Sequence, residues 1–272
     1  MSNALHFGTS AGSLTDLSAN QYGLSVEGDS LTWMAAPQLS FTDTPGRDGA
    51  HIYGSRYAGR RFSIPVRVEG DDADDLRDKL DAIAYKLRPG QGNGYWKLDA
   101  VPDRMAFGRI GAAVDFKPSG ARLARGVLQI VCPDAFLYST TETVQTVTVS
   151  GSPQAFNVTA SGVVPGTAPA SPVWVVKNTS GGASGALTLA NTTTGETIST
   201  SAGIANGHWL RFDAVRKIIE RSTDSGGSWA SFMASRGSSR NIPGLSPQVQ
   251  NACTLTGLTG GEITITYRAR FL

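Results

Sequence analysis

The chain has 272 residues, of which 17% are charged, with a net charge of +2 and 32 glycines. This is a globular composition tilted towards turns and strands, which excludes an intrinsically disordered protein. Residues 1–138 hold 15 basic and 16 acidic groups and residues 139–272 hold nine and six, so neither half has the excess charge with which a surface grips a polyanion.

The N-terminal MSNALHFGTSAGS has neither a basic nor an apolar segment, so no signal peptide is expected, and no apolar run approaches the ~20 residues of a membrane span. A soluble protein made in a cytoplasm is the expectation. Residues 41–70 read FTDTPGRDGAHIYGSRYAGRRFSIPVRVEG. Glycines, arginines and tyrosines crowd the first two thirds, which predicts a long Gly-punctuated hairpin. Phe62, Ile64, Val66 and Val68 then alternate with Arg61, Ser63, Pro65 and Arg67, as in a strand with one buried face. Pro65 lacks a ladder donor and points to an edge strand or a bulge.

A helix follows. Asp71 and Asp72 can cap it, Asp74 and Asp75 complement its positive end, and Arg88-Pro89-Gly90 stops it. Ala73, Leu76, Leu80, Ile83, Ala84 and Leu87 form one apolar stripe. Strands are predicted where Ile110, Ala112, Val114 and Phe116 alternate, and again at Leu128, Ile130 and Cys132. A domain boundary falls near Tyr138–Thr141. Residues 163–172, VVPGTAPASP, cannot be regular structure because prolines repeatedly remove donors. From there VWVVKN, GALTLANTTTGETIS, HWLRFDAVRKIIERS and EITITYRARFL read as strands of a β-sandwich. In the last, Ile263, Ile265, Tyr267, Ala269 and Phe271 share a face.

Signals for chemistry are sparse. Gly8-Thr9-Ser10-Ala11-Gly12 spells G-x-S-x-G, but no buried strand and helix flank it as a nucleophile elbow requires, so it reads as a polar loop. His6, His51 and His208 are scattered, no Walker A sequence occurs, and no pair of carboxylates stands out. Cys132 and Cys253 lie more than a hundred residues apart and read as buried free thiols. No catalytic site, metal or cofactor is expected. Ser222–Trp229, STDSGGSW, fits the Asp-box S-x-D-x-G-x-[ST]-W. Its bland reading is a hairpin turn held by the Asp224 carboxylate with Trp229 packed beneath; the sharper one is a loop that handles sugar. Trp209 sits beside Arg211 and Asp213 on the face of HWLRFD opposite Leu210 and Phe212. Such a tryptophan either stacks on a sugar or is covered by protein.

The order of features resembles the distal tail protein (Dit) family of long, flexible-tailed phages. DLSANQYGLSVEG, GRDG, RRFSIPVRVEG, DDLRDKLDAIAYKLRPG, AVPDRMAFGRIG and CPDAFLYS succeed one another in the first half. VVPGTAPASPVWVVKNTSGG, NTTTGETI and GHWLRFDAVRKIIE continue the resemblance in the second. The resemblance implies a mainly β protein with two domains. Residues 1–138 would be a β-sandwich-like ring domain with one helix and a long hairpin, and residues 139–272 a galectin-like sandwich. It further implies a homohexameric ring at the distal tip of the virion tail, partnered by the tail tube protein, the tape-measure protein and the tail-tip or baseplate hub protein. DNA would pass through the lumen without specific recognition, and the near-neutral first half suits a channel that must not retard it. Under this reading residues 44–61 and the strand 62–68 form the ring. Arg47, Asp48, Tyr53, Arg56, Tyr57, Arg60 and Arg61 are the candidates for the subunit interface or lumen. Trp209, Asp224 and Trp229 are the candidates for contact with a host saccharide or a partner, and the Asp-box departs from the family's sandwich. The rival reading is a carbohydrate-binding adhesion module.

Overall fold

The alternation of residues 60–69 is realised without a fault. In a computed structural model, which describes residues 4–27, 36–43, 48–158 and 163–272, every second residue of Arg60–Glu69 is buried, from Arg60 through Phe62, Ile64 and Val66 to Val68. The chain divides into two compact units, Met1–Thr140 with Leu272, and Thr141–Phe271.

The first unit contains β1 (Leu5–Ser10), β2 (Ser13–Asp16), β3 (Leu24–Val26), β4 (Pro37–Asp43), β5 (Ala50–Tyr57) and β6 (Arg60–Glu69). Helix α1 (Ala73–Lys86) follows, then β7 (Gly94–Leu98), β8 (Arg104–Ile110), β9 (Lys117–Pro118), β10 (Leu123–Cys132) and β11 (Leu137–Ser139). The main sheet runs β2-β1-β7-β8-β10-β6-β3, antiparallel throughout. Its ends return to each other through Leu17, whose N–H donates to the Leu5 carbonyl (2.9 Å) and whose carbonyl accepts from Leu24 N (3.0 Å). Inward-facing Leu5, Phe62, Ile64, Met105 and Ile130 fill the barrel-like interior. Phe7 tilts against Trp96 at 4.4 Å, and the Trp96 indole donates to the Gly108 carbonyl.

Two expectations need correction. Pro65 marks neither an edge nor a bulge, because β6 pairs with β10 along its whole length and with β3 at Val66–Val68. A strand residue's nitrogen and carbonyl point to the same side. The Pro65 carbonyl accepts from Glu27 N (2.8 Å), just past the end of the short β3, so the missing donor falls where no ladder bond is required. The strand predicted over 110–116 ends at Ile110. Gly111 N makes the last ladder bond, to Gln129 O, and beyond it β10 pairs with β9 instead. Phe116 folds over Gly126, where a Cβ would come within 3.0 Å of the ring.

Helix α1 starts and stops as its sequence dictates. The Asp72 carboxylate accepts from Asp74 N (3.0 Å) and Asp75 N (2.8 Å), and Leu87 N donates to Ile83 O at the other end. Its apolar stripe is only half covered: Leu76, Ile83 and Leu87 are buried, whereas Ala73 and Ala84 are exposed.

The second unit is a two-sheet sandwich. Its strands are β12 (Thr143–Val149), β13 (Gln154–Val158), β14 (Val173–Asn178), β15 (Thr188–Asn191), β16 (Glu196–Thr200) and β17 (Trp209–Asp213). They continue with β18 (Ile218–Ser222), β19 (Ala230–Ser231), β20 (Arg236–Arg240), β21 (Asn251–Thr256) and β22 (Gly261–Tyr267). One sheet runs β12-β22-β14-β17-β18-β19 and the other β13-β21-β15-β16-β20. Trp174, Leu189, Ile198, Phe212, Leu255 and Ile265 interleave between them, each fully buried. Residues 163–172 are irregular as expected, yet they are not loose. Ala168 bridges to Arg270 and Ala170 to Leu245, and Val164, Ala168 and Ala170 are buried. Both cysteines are buried free thiols, each pushed up to about 12 by burial. The mainly β expectation with one α-helix therefore holds among the described residues.

Candidate assembly surface

Strands β4 and β5 form a two-stranded sheet of their own, outside the main sheet. Residues paired across an antiparallel ladder share a face. Pro37 lies opposite Tyr57, Leu39 opposite Ser55 and Phe41 opposite Ile52. The other face carries Gln38 opposite Arg56, Ser40 opposite Gly54 and Thr42 opposite His51, and Arg56 Nε donates to Gln38 Oε1 (2.9 Å). The register shifts between Ser40 and Phe41, leaving Tyr53 as the extra residue of a bulge. That shift rotates Ile52 onto the face of Leu39 and Phe41. The hairpin is thus amphipathic, and among the described residues its apolar face stays open: Phe41 and Ile52 are each 54% exposed and Tyr53 67%, with Leu39 and Tyr57 also exposed. A contiguous apolar surface of this kind on a folded chain marks an interaction site.

The candidates separate accordingly. Arg47 lies outside the described residues. Asp48, Tyr53, Arg56 and Tyr57 are exposed on the hairpin, and Arg61 is exposed at the start of β6. Arg60 does not belong with them. It is 3% exposed, and its Nε donates to the Ala135 carbonyl within its own unit, so it cannot meet a neighbour. Strand period explains the difference, since adjacent residues point to opposite faces. Sequence reasoning missed Leu39, Phe41 and Ile52. Leu39 and Phe41 do alternate, but the bulge shifts Ile52 out of any simple period on the partner strand.

In the sandwich, Ser222–Trp229 spans the turn from β18 to β19 and satisfies itself. The Asp224 carboxylate accepts from Ser222 Oγ (2.5 Å), Ser228 Oγ (2.6 Å) and Ser228 N (2.9 Å), while Ser225 and Gly226 take positive φ. These bonds, the Ser222 hydroxyl first, hold its carboxyl well below the usual carboxylate range. A depressed carboxyl stabilises the fold fully above its unfolded value of about 4, and the contribution fades as the pH falls below that. Asp224→Ala should therefore speed amide exchange of Ser228 on the order of tenfold at neutral pH, leaving the sheets protected. An unchanged rate would mean that Ser222 and the backbone hold the turn alone.

The Arg211 guanidinium lies 4.3 Å from the Trp229 ring centroid while pairing with Glu220, and Arg216 bridges Asp213 (2.7 Å) and Glu220 (2.9 Å). Half-buried Trp209 carries Lys177 Nζ at 5.2 Å. Each candidate tryptophan thus has a cation of its own chain on its ring. Among the described residues no cluster of three or more His, Cys, Asp or Glu side chains could hold a metal, and no helix is long and apolar enough to cross a membrane.

Comparison with known proteins agrees with this architecture. Residues 20–150 match the family described as phage tail protein RIFT-related domain. No curated protein sequence matches the chain. The SPP1 Dit (gp 19.1) protein, described as a paradigm of the hub adsorption apparatus in phages infecting Gram-positive bacteria, superposes with a TM-score of 0.74 at 16% identity, over 98% of this chain and 99% of that one. A chain of the phage P2 baseplate in its activated conformation with Ca superposes at 0.57 with 10% identity, over 98% of both chains. The same baseplate with Sr gives 0.56 with 8% identity, over 97% of both. Residues 20–150 therefore match a phage tail RIFT-related domain, and the chain shares the fold of SPP1 Dit along 98% of its length. The resemblance to the siphophage distal tail (Dit) family read from the order of motifs agrees with that domain match and with a fold shared with SPP1 Dit along 98% of the chain. Family and fold are those of structural tail proteins, which are generally not enzymes.

Proposed function

We propose that six copies of this chain close into a ring at the distal end of the tail tube. The ring is the hub on which the tail tip or baseplate assembles, and its lumen conducts first the tape-measure protein and then DNA. The observation that carries this reading is the exposed apolar face of the β4–β5 hairpin, a two-stranded sheet of its own that stays uncovered among the described residues. A surface left uncovered in the folded monomer finds its partner in assembly, and identical copies are the commonest partner. The similarity to SPP1 Dit and to the P2 baseplate supports the place in the virion. The C-terminal sandwich then acts as a projecting scaffold, with Arg211 and Trp229 bracing its β18–β19 turn.

Mass photometry of the purified chain at micromolar concentration, alone and with the tail tube protein, tests the proposal. The expected species is a particle of about 170 kDa, six times the 28.5 kDa chain. A chain that stays monomeric under both conditions overturns the ring.

A further inference from the structure

Strands β16 and β18 belong to opposite layers of the sandwich, and a cleft of about 300 Å³ is lined by both. That is the lower end of the range for small-molecule sites, ~300–1,000 Å³. Buried Ile198 and Ile219 form its floor together with half-buried Met233. Glu196, Lys217, Arg236 and Asn241 supply its polar wall. Two cations against one carboxylate make the cleft net positive. The carboxylate is held in place, since Glu196 Oε2 accepts from Gly244 N (2.7 Å), and Oε1 is left to accept from a ligand.

Lys217 is the least expected of the four. It ends the turn between β17 and β18 at φ 56°. Glycine takes that conformation freely and Asn or Asp can bond locally there, whereas lysine only bears its cost. The carboxylates beside the turn, Asp213 and Glu220, already pair with Arg216 and Arg211. Among the described residues Lys217 makes no ion pair, so none accounts for its place in the turn. A backbone outlier of this kind points to a task for the side chain it carries.

We propose that this cleft binds a saccharide bearing an anionic group, a carboxylate or a phosphate. Lys217 and Arg236 take the anion, and the apolar floor packs on the C–H face of the sugar ring. Asn241 can both donate to and accept from ring hydroxyls, and Glu196 Oε1 accepts from one of them. A zwitterionic amino acid fits less well, because its ammonium would meet two cations and a carboxylate already bonded. The assignment moves saccharide contact away from Trp209 and Trp229, whose rings carry cations of their own chain. It stands independently of the ring.

Saturation-transfer difference NMR on the full chain tests this, because it reads weak ligands of large proteins. The probes are glucuronate, glucose 6-phosphate and glucose, with inorganic phosphate as competitor. Ring protons of one or both acidic sugars should saturate, and the one that does identifies the anion. Lys217→Gly should weaken that binding about tenfold or more, as expected for one charge-assisted contact. Its thermal transition should hold or rise, since glycine relieves the turn. Asn241→Ala, at an exposed position, should weaken binding without any change in charge. Glucose that binds as well as the acidic sugars, or binding unaltered by both substitutions, overturns the site. Full displacement by an equal concentration of inorganic phosphate reduces the cleft to a bare anion site and overturns the saccharide. Saturation of none of the sugars overturns the proposal outright.

Discussion

Arg60→Glu should unfold the N-terminal unit, whereas Arg61→Glu should leave it folded but unable to close a ring. The two arginines are neighbours on β6 and have opposite surroundings. Arg60 stands opposite Cys132 in the ladder, 3% exposed, with its guanidinium donating to the Ala135 carbonyl. Burial lowers its pKa, so the charged form already sits in an unfavourable medium that its hydrogen bonding offsets. A carboxylate at this position would face a carbonyl oxygen it cannot bond and water it cannot reach. Removing one partner of a buried charged contact costs about 3–5 kcal/mol, a large share of the ~5–15 kcal/mol that holds a domain. Urea unfolding followed by the fluorescence of Trp96, buried in the same unit, should show the loss directly. Arg61 is exposed, and surface substitutions of this kind change stability by no more than ~0.5 kcal/mol. Its reversal should be silent in the melt and visible in mass photometry as loss of the hexamer. Equal melting of the two variants would place Arg60 on the surface and contradict the register of β6.

The second large effect belongs to the sandwich. Trp174→Ala should destabilise it by about 3–5 kcal/mol, the range for truncating a large aromatic core residue. Trp174 is fully buried near the start of β14, its indole N–H donates to the Pro243 carbonyl (3.0 Å), and Phe156 meets it edge-on at 6.5 Å. Truncation therefore opens a cavity between the sheets and leaves a buried carbonyl without its donor. In calorimetry the sandwich transition should fall by on the order of 10 °C. Trp174→Phe keeps most of the volume but loses the hydrogen bond, so its loss should be clearly smaller. An equal drop for both variants would assign the effect to the Pro243 contact alone.

These cases show what the sequence reveals and what it conceals. Interactions that close within a few residues, or repeat along one strand, are legible. The cap and stop of α1, the alternation of β6 and the self-contained Asp-box turn all belong to this kind, as does the mainly β architecture. The period of β6 even separates Arg60 from Arg61, although the richness of the stretch in arginine suggests treating the two alike. What depends on distant partners is not legible. The bulge at Tyr53 moves Ile52 to the apolar face only because β4 shifts register there. Pro65 is harmless inside a sheet only because β3 ends one residue short of it. The alternation after Ile110 is real, but the chain leaves the ladder after Gly111 and rejoins β10 only at Lys117–Pro118, opposite Ala124–Arg125. The uncovered half of the α1 stripe looks in sequence like any helix face that meets a core.

Residues 163–172 have the composition from which flexible spacers are made, and by composition they would be a natural place to graft a tag or a display peptide. Their backbone bridges to Arg270 and Leu245 and the burial of Val164, Ala168 and Ala170 make them a fastened strap instead. Extra sequence there would prise apart the end of the sandwich. The exposed turn at residues 119–122, where Gly120 has open space around it, is the better port for cargo on the tail of an engineered virion.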